Sequence, residues 1–267
     1  MQQHEKYIFY ARTVKASSIR SLFESLKEIL FDVNILCTPK DMRIKRLSKE
    51  NTVLVNLVLL GESFEEYICQ QPLVTLGINL YNTHKLIKSV GSSDILSIFI
   101  TEDKPQIIYV RIENPDKNLM TTYQMLNMDV DEVYIEIPDA TSPSVIILPS
   151  PDFQRICRDM SNISDTTIEI RNVEDQLIFS CRGQFASQET ILHESKNSIQ
   201  FRQTKKDNYV SGTFSLKILN QFAKASTLSN TIEMYLENNF ALILVFSVHN
   251  MGTLTLVLAP QDTSVEG

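Results

Sequence analysis

FQRICRDMSNISDTTIEI, residues 153–170, shows a short basic amphipathic helix running straight into a strand. Phe153, Ile156, Cys157 and Met160 recur at helical spacing and make one apolar stripe, while Arg155 and Arg158 share a face turned away from it. Just upstream, Ser150 is placed to cap the helix, Pro151 suits its first position, and Asp152 complements the positive end of the macrodipole. Past Asn162 the β-rich TTIEI replaces the helical period.

Outward from this stretch the same unit recurs. An opening strand over 7–14 precedes a helix over 18–30, with Ile19, Leu22, Phe23, Leu26, Ile29 and Leu30 as its stripe and Arg20 and Lys27 on another face. Strand-like runs follow at 33–38, 42–47 and 52–60, with 62–68 less regular, and Pro39, Gly61 and Pro72 read as turns. A second helix over 82–90 buries Leu86, Ile87 and Val90, shows Lys85 and Lys88, and has Gly91 in place as its C-cap. Strands at 95–101, 106–113 and 120–125 close the first half.

Residues 126–138, LNMDVDEVYIEIP, alternate acidic with apolar side chains, which predicts an extended strap with one side buried. After a Ser-, Thr- and Pro-rich passage holding a strand at 144–148, the order returns: a helix over 152–162, then strands at 166–171, 176–181, 189–194, 198–202 and 209–214. A closing helix over 215–226 buries Leu216, Leu219, Phe222 and Ala223 and shows Lys217 and Lys224, ahead of strands at 231–236, 240–248 and 253–258. Strand, helix, strands, helix, strands, written twice around a strap, predicts an α+β chain with an internal structural repeat.

At 267 residues with 43% apolar side chains, the chain can build one large or two medium domains. A net charge of −7 argues against an indiscriminate nucleic-acid binder, although it does not say where the charges lie. Cys37, Cys69, Cys157 and Cys181 are far apart and form no C-x-x-C, so the expectation is reduced, buried thiols in an intracellular protein. The opening MQQHEKYIFY has no signal-peptide pattern, and the longest apolar run, 240–246, is far short of the about 20 residues a membrane helix needs. No membrane partner is expected.

The predicted helices carry Arg20, Lys27, Lys85, Lys88, Arg155, Arg158, Lys217 and Lys224 on their exposed sides. Gathered on one surface, these charges could neutralise phosphates without reading bases. Glu24, Glu28 and Asp159 interrupt the pattern, so charge placement alone leaves an ordinary solvated helix face open beside DNA contact. Catalytic signals are poor: there is no G-x-x-x-x-G-K-[ST], G-x-G-x-x-G or H-E-x-x-H, and His4, His84, His193 and His249 lack ligand-like spacing. No catalytic residue, metal site or cofactor is expected, and an enzyme with a cryptic site has little support.

RICRD with its flanking FQ and MSNISD resembles the third helix of the eukaryotic sliding clamp family, that of proliferating cell nuclear antigen. LGINLYNTHKLIKSVGSSDILSI at 76–98, KILNQFAKASTLSNTIEM at 217–234 and MGTLTLVLAP at 251–260 resemble its second helix, fourth helix and last strand with tail. The likeness runs from about Phe9 to Gly267 with order and spacing kept. It implies the DNA clamp fold: two similar domains, antiparallel sheets outside and two short helices from each lining the inner face of a ring. The expected division is a domain over 1–125, a connector over 126–138, a second domain over 139–260 and a tail over 261–267.

The same resemblance implies a homotrimer that encircles duplex DNA without sequence preference and tethers polymerase, clamp loader and other replication and repair enzymes. It places Arg20, Lys27, Lys85, Lys88, Arg155, Arg158, Lys217 and Lys224 at DNA-facing positions. A docking pocket would include Leu47, Leu126, Met128, Val130, Ile137, Pro138, Ala259 and Pro260. Subunits would pair a strand holding Thr121, Thr122, Tyr123, Gln124 and Met125 with one holding Gln188, Glu189, Thr190, Ile191 and Leu192. The expected location is the nucleus, or a viral replication compartment for a viral chain.

There are departures from the common pattern. The connector runs two residues longer around 134–136, pocket positions that are usually aromatic read Ser142 and Val257, the usual modified lysine reads Val173, and one basic position reads Ser21. They point to a divergent member, from a protist or a large DNA virus. A subunit of a heterotrimeric checkpoint-type clamp, or a clamp-like transcription factor, is the alternative.

Overall fold

The computed structural model describes residues 6–131, 144–195, 198–204 and 209–261. Two compact units are formed, one by Met1–Arg46, Asn56–Ile135 and Val248–Thr253, the other by Leu47–Val55, Glu136–Ser247 and Leu254–Gly267. The first run of elements is β1 (Tyr7–Thr13), α1 (Ala16–Leu26), β2 (Asp32–Cys37), β3 (Asp41–Leu47), β4 (Val53–Leu60), β5 (Glu66–Cys69), β6 (Val74–Asn79), α2 (Leu80–Ile87), β7 (Ile95–Thr101), β8 (Ile107–Asn114) and β9 (Leu119–Leu126). The second is β10 (Ser144–Pro149), α3 (Ser150–Met160), β11 (Thr167–Val173), β12 (Gln176–Arg182), β13 (Ser187–His193), β14 (Gln200–Thr204), β15 (Tyr209–Ser215), α4 (Leu216–Ala223), β16 (Thr231–Leu236), β17 (Leu242–Ser247) and β18 (Gly252–Leu258).

Strand, helix, five strands, helix, three strands therefore occurs twice among the described residues. Pairing repeats as well. Strand order is β5-β1-β7-β8-β9 and β4-β3-β2-β6 in the first copy, β14-β10-β16-β17-β18 and β13-β12-β11-β15 in the second. β1 lies antiparallel between β5 and β7 as β10 does between β14 and β16, and β2 between β3 and β6 as β11 between β12 and β15.

Each helix buries one stripe. On α1, Ile19, Leu22, Phe23 and Leu26 are buried; on α3, Phe153, Ile156, Cys157 and Met160; on α4, Leu216, Leu219, Phe222 and Ala223. Together with alternating strand residues such as Ile168, Ile170, Leu244 and Phe246 they form the cores. α2 is capped by Asn79, whose side chain accepts from Asn82 N at 2.9 Å, and α4 by Ser215, which accepts from Ile218 N at 3.4 Å.

Several local expectations change. α3 begins at Ser150 with Pro149 before it, so the Ser150 hydroxyl does not cap; it is buried without a hydrogen-bond partner among the described residues. α2 starts at Leu80 and ends before Lys88, not at a Gly91 cap; Gly91 N instead donates to Asp94 Oδ2 at 2.7 Å, and that bond with Asn114 holds the Asp94 carboxyl below its ordinary range. Residues 74–79, where no strand is expected from the sequence, form β6. No described glycine takes up the left-handed conformation; Asn51, Asn118, Glu174, Asn239, His249 and Asn250 do so, and asparagine, four of the six, is among the non-glycine residues that enter it at least cost. The four thiols are free as expected, but Cys69 is half-buried rather than buried.

Candidate functional site

In the first unit α1 and α2 pack together and bring their basic side chains close. Arg20 Nη1 donates to Val90 O at 2.7 Å, just past α2, and Lys27 Nζ lies 3.3 Å from His84 Nδ1. Arg20 and Lys27 are half-buried, whereas Lys85 and Lys88 are exposed. Lys85 Nζ stands 4.2 Å over the Tyr81 ring. Burial, then the Lys27 charge, pushes His84 below the ordinary imidazole range, so the ring is neutral at pH 7.

The second unit repeats the pattern on α3 and α4, which also pack together. Arg155, Arg158, Lys217 and Lys224 are all exposed. Arg155 pairs with Asp152 at 3.2 Å and Arg158 with Asp159 at 3.5 Å. Surface pairs of this kind contribute about 0–1 kcal/mol, so an incoming phosphate can displace them.

The described part of the strap, residues 126–131, is held mainly by hydrogen bonds. Asn127 Oδ1 accepts from Gly77 N at 2.7 Å, Asn127 Nδ2 donates to Thr75 O at 3.0 Å, and Met128 N donates to Gly77 O at 2.9 Å. Further on, Val130 O accepts from Asn34 Nδ2 at 2.8 Å and Asp131 O from Arg46 Nη1. The strap thereby covers the β6 edge, which would otherwise present unpaired backbone groups. Of its described apolar residues only Val130 is buried; Leu126 is 73% exposed and Met128 40%. The expectation of a buried apolar side is corrected in that respect.

Among the other pocket candidates, Leu47 is half-buried and Ala259 and Pro260 are exposed; these three belong to the second unit. Ile137 and Pro138, like Ser142 and residues 134–136, lie outside the described residues. Thr121–Met125 fall on β9 and Gln188–Leu192 on β13. β9 pairs only with β8 and β13 only with β12 among the described residues, so each is the outer strand of its sheet. Ile191 is 44% exposed on β13, and Glu189 there bonds Arg171 Nη2 at 2.6 Å.

In the repeat, β9 corresponds to β18 and β13 to β4. Within the first unit Leu60 N, at the end of β4, donates to Met251 O beside β18 at 2.8 Å, and within the second Ala259 N donates to Thr52 O at 3.0 Å.

Residues 8–134 match the family model for the proliferating cell nuclear antigen N-terminal domain, and 136–261 that for its C-terminal domain. The chain belongs to the proliferating cell nuclear antigen family. Within it, the chain is 39% identical over 259 residues to the "Probable DNA polymerase sliding clamp 1" of Paramecium bursaria Chlorella virus 1, covering 96% of this chain and 98% of that protein. It is 29% identical over 257 residues to the proliferating cell nuclear antigen of Chaetomium thermophilum, covering 94% and 97%. The crystal structure of the Entamoeba histolytica family member superposes with a TM-score of 0.88 at 23% identity, over 96% of this chain and 100% of that one. That likeness shows the clamp fold: two family domains of mostly antiparallel sheet with four α-helices among the described residues.

Three contributors to these surfaces, His84, Asn127 and Gly77, were not foreseen. His84 has no partner nearby in sequence, its neighbour Lys27 lying 57 residues away. Asn127 and Gly77 did carry a signal: an amide amid apolar strap residues, and a glycine inside a run of strand character, which marks close backbone approach.

Proposed function

We propose that this chain is a DNA sliding clamp: three copies close a ring around duplex DNA and tether a polymerase, a clamp loader and other replication enzymes. The observation that carries this reading is that Arg20, Lys85, Arg155, Arg158 and Lys217 lie on the four helices, and Lys27, Lys88 and Lys224 at the C-terminal ends of three of them, in a chain whose net charge is −7. Phosphate contacts from such residues carry no sequence information, which suits a protein that slides. Lys224, at the start of the short 3-10 turn after α4, joins the same set.

The ring reading is supported by the repeat. β9 and β13 are outer strands that correspond to β18 and β4, and a β9-to-β13 pairing between successive copies reproduces the bonding those two strands already make. Closing the ring in this way covers both edges.

In this reading the clamp catalyses nothing. Weak binding becomes long residence because the ring encloses the duplex, and a partner docked on Leu126, Met128 and the rest of the 126–138 connector gains effective concentration at the primer end. The domains are then 1–125 and 139–260, and the site of action is the compartment, nuclear or viral, that houses replication. The test is retention on a nicked circular plasmid after a high-salt wash, before and after the plasmid is cut. A clamp stays on the circle and leaves the linear product; equal loss from both overturns the reading.

A further inference from the structure

His84 projects from α2, which carries Lys85 and ends just before Lys88, yet its polar neighbour among the described residues is a cation at the C-terminal end of α1, Lys27 Nζ at 3.3 Å. An ammonium can only donate, so the Nδ1 facing it carries a lone pair and the ring is neutral. We propose that His84 is an additional phosphate-contacting residue of the DNA surface, which takes a proton when DNA arrives and shares a backbone phosphate with Lys27. This rests on the sliding-clamp reading above.

The surroundings explain why a proton is taken only then. From α1, His84 faces Lys27, Arg20 and Glu24; from α2, it faces Lys88. Three cations outweigh one carboxylate, and burial acts in the same direction, so the free protein keeps the imidazole uncharged below its ordinary range. A phosphate brought to Lys27 reverses the local sign. It replaces the imidazole as acceptor for the ammonium and gives the imidazolium an anion to donate to, with the proton supplied by solvent. Both side chains are half-buried between packed helices, so the two donors are already close together before DNA binds. Arg20 Nη1 is meanwhile bonded to Val90 O at 2.7 Å.

Linkage gives the pH dependence a definite sign. His84 has the higher proton affinity in the complex, so binding tightens as pH falls from the bound value to the free one and is independent of pH above both. The other two described histidines, His193 on β13 and His249 at the turn before β18, are not on the helices.

The experiment measures affinity for a short linear duplex by fluorescence anisotropy at constant ionic strength from about pH 8 to 5.5. It compares the parent protein, His84→Gln, and an Arg155→Ala/Arg158→Ala double variant. Glutamine can still accept from Lys27 but cannot take a proton. The parent protein should tighten about threefold or more over this range, while the affinity of His84→Gln should not change with pH. In parallel, the His84 ring resonances should titrate at higher pH with the duplex present than without it. If His84→Gln keeps the full pH dependence, or the resonances do not move, the proposal is overturned. If the double arginine variant binds as tightly as the parent, the DNA surface itself is misassigned and the proposal falls with it.

Discussion

The Met128 carbonyl occupies the space where a side chain at Gly77 would begin: a Cβ built there lies 1.9 Å from Met128 O. Because Met128 N also donates to Gly77 O and the Asn127 side chain bonds both peptides flanking Leu76, at Gly77 N and Thr75 O, the strap and β6 interlock. Gly77→Ala should therefore push the strap off the sheet edge. The expected cost is about 1–3 kcal/mol of stability in denaturant unfolding, with faster proteolysis within 126–131. Unchanged stability and unchanged cleavage would show that the strap is not held in this way.

Electrostatic binding to DNA predicts a salt signature. Removing one phosphate-binding side chain should reduce the slope of log K against log [salt] by about 0.9. Arg155→Ala with Arg158→Ala should thus flatten the slope while leaving the melting temperature nearly unchanged, since both side chains are more than half exposed and their ion pairs are weak. A slope identical to that of the parent protein counts against these two residues facing DNA.

Stability in acid should report on Asp41. The Arg43 guanidinium, at 2.5 and 2.9 Å, holds the Asp41 carboxyl below its ordinary range; the Thr38 hydroxyl helps, and burial opposes. A carboxyl with a depressed folded value contributes stability above its unfolded pKa, near about 3.9, and loses it as pH falls through the folded value. Asp41→Asn should cost about 1–3 kcal/mol at pH 7, and this difference should shrink steadily below about pH 4. A difference independent of pH would mean that packing, not charge, explains the cost.

How far the sequence was legible depended on where the information lay. The stripe of Phe153, Ile156, Cys157 and Met160 is a local period, and α3 forms on it with those residues buried. β6 was harder to read, because the strap carbonyl that explains its glycine, at Met128, comes from a distant part of the chain. Ser150 and Gly91 suited caps by residue type, but strand β10 runs into α3 as far as Pro149 and α2 stops before Lys88, leaving neither at a helix end. The strap's alternating pattern suggested apolar burial, yet Asn127 and the backbone anchor it and leave Leu126 and Met128 exposed. Of the candidate site, the basic positions on the helices could be read locally. The Lys27–His84 contact could not, because it joins two helices.

The outer strand β13 should be sensitive to charge. Ile191→Lys adds a cation to an exposed position on an edge that, in the proposed ring, pairs with β9 of another copy. The variant should lose self-association at micromolar concentration, while its circular dichroism and melting temperature stay close to those of the parent. Retained assembly would exclude this strand from the interface.

A ring built from three copies is tested most directly by the solution mass of the purified protein, measured by light scattering across a concentration series. The expected species has three times the 30.5 kDa chain mass and is converted to monomer by Ile191→Lys. A parent protein that remains a monomer at every concentration would contradict a ring built from this chain alone.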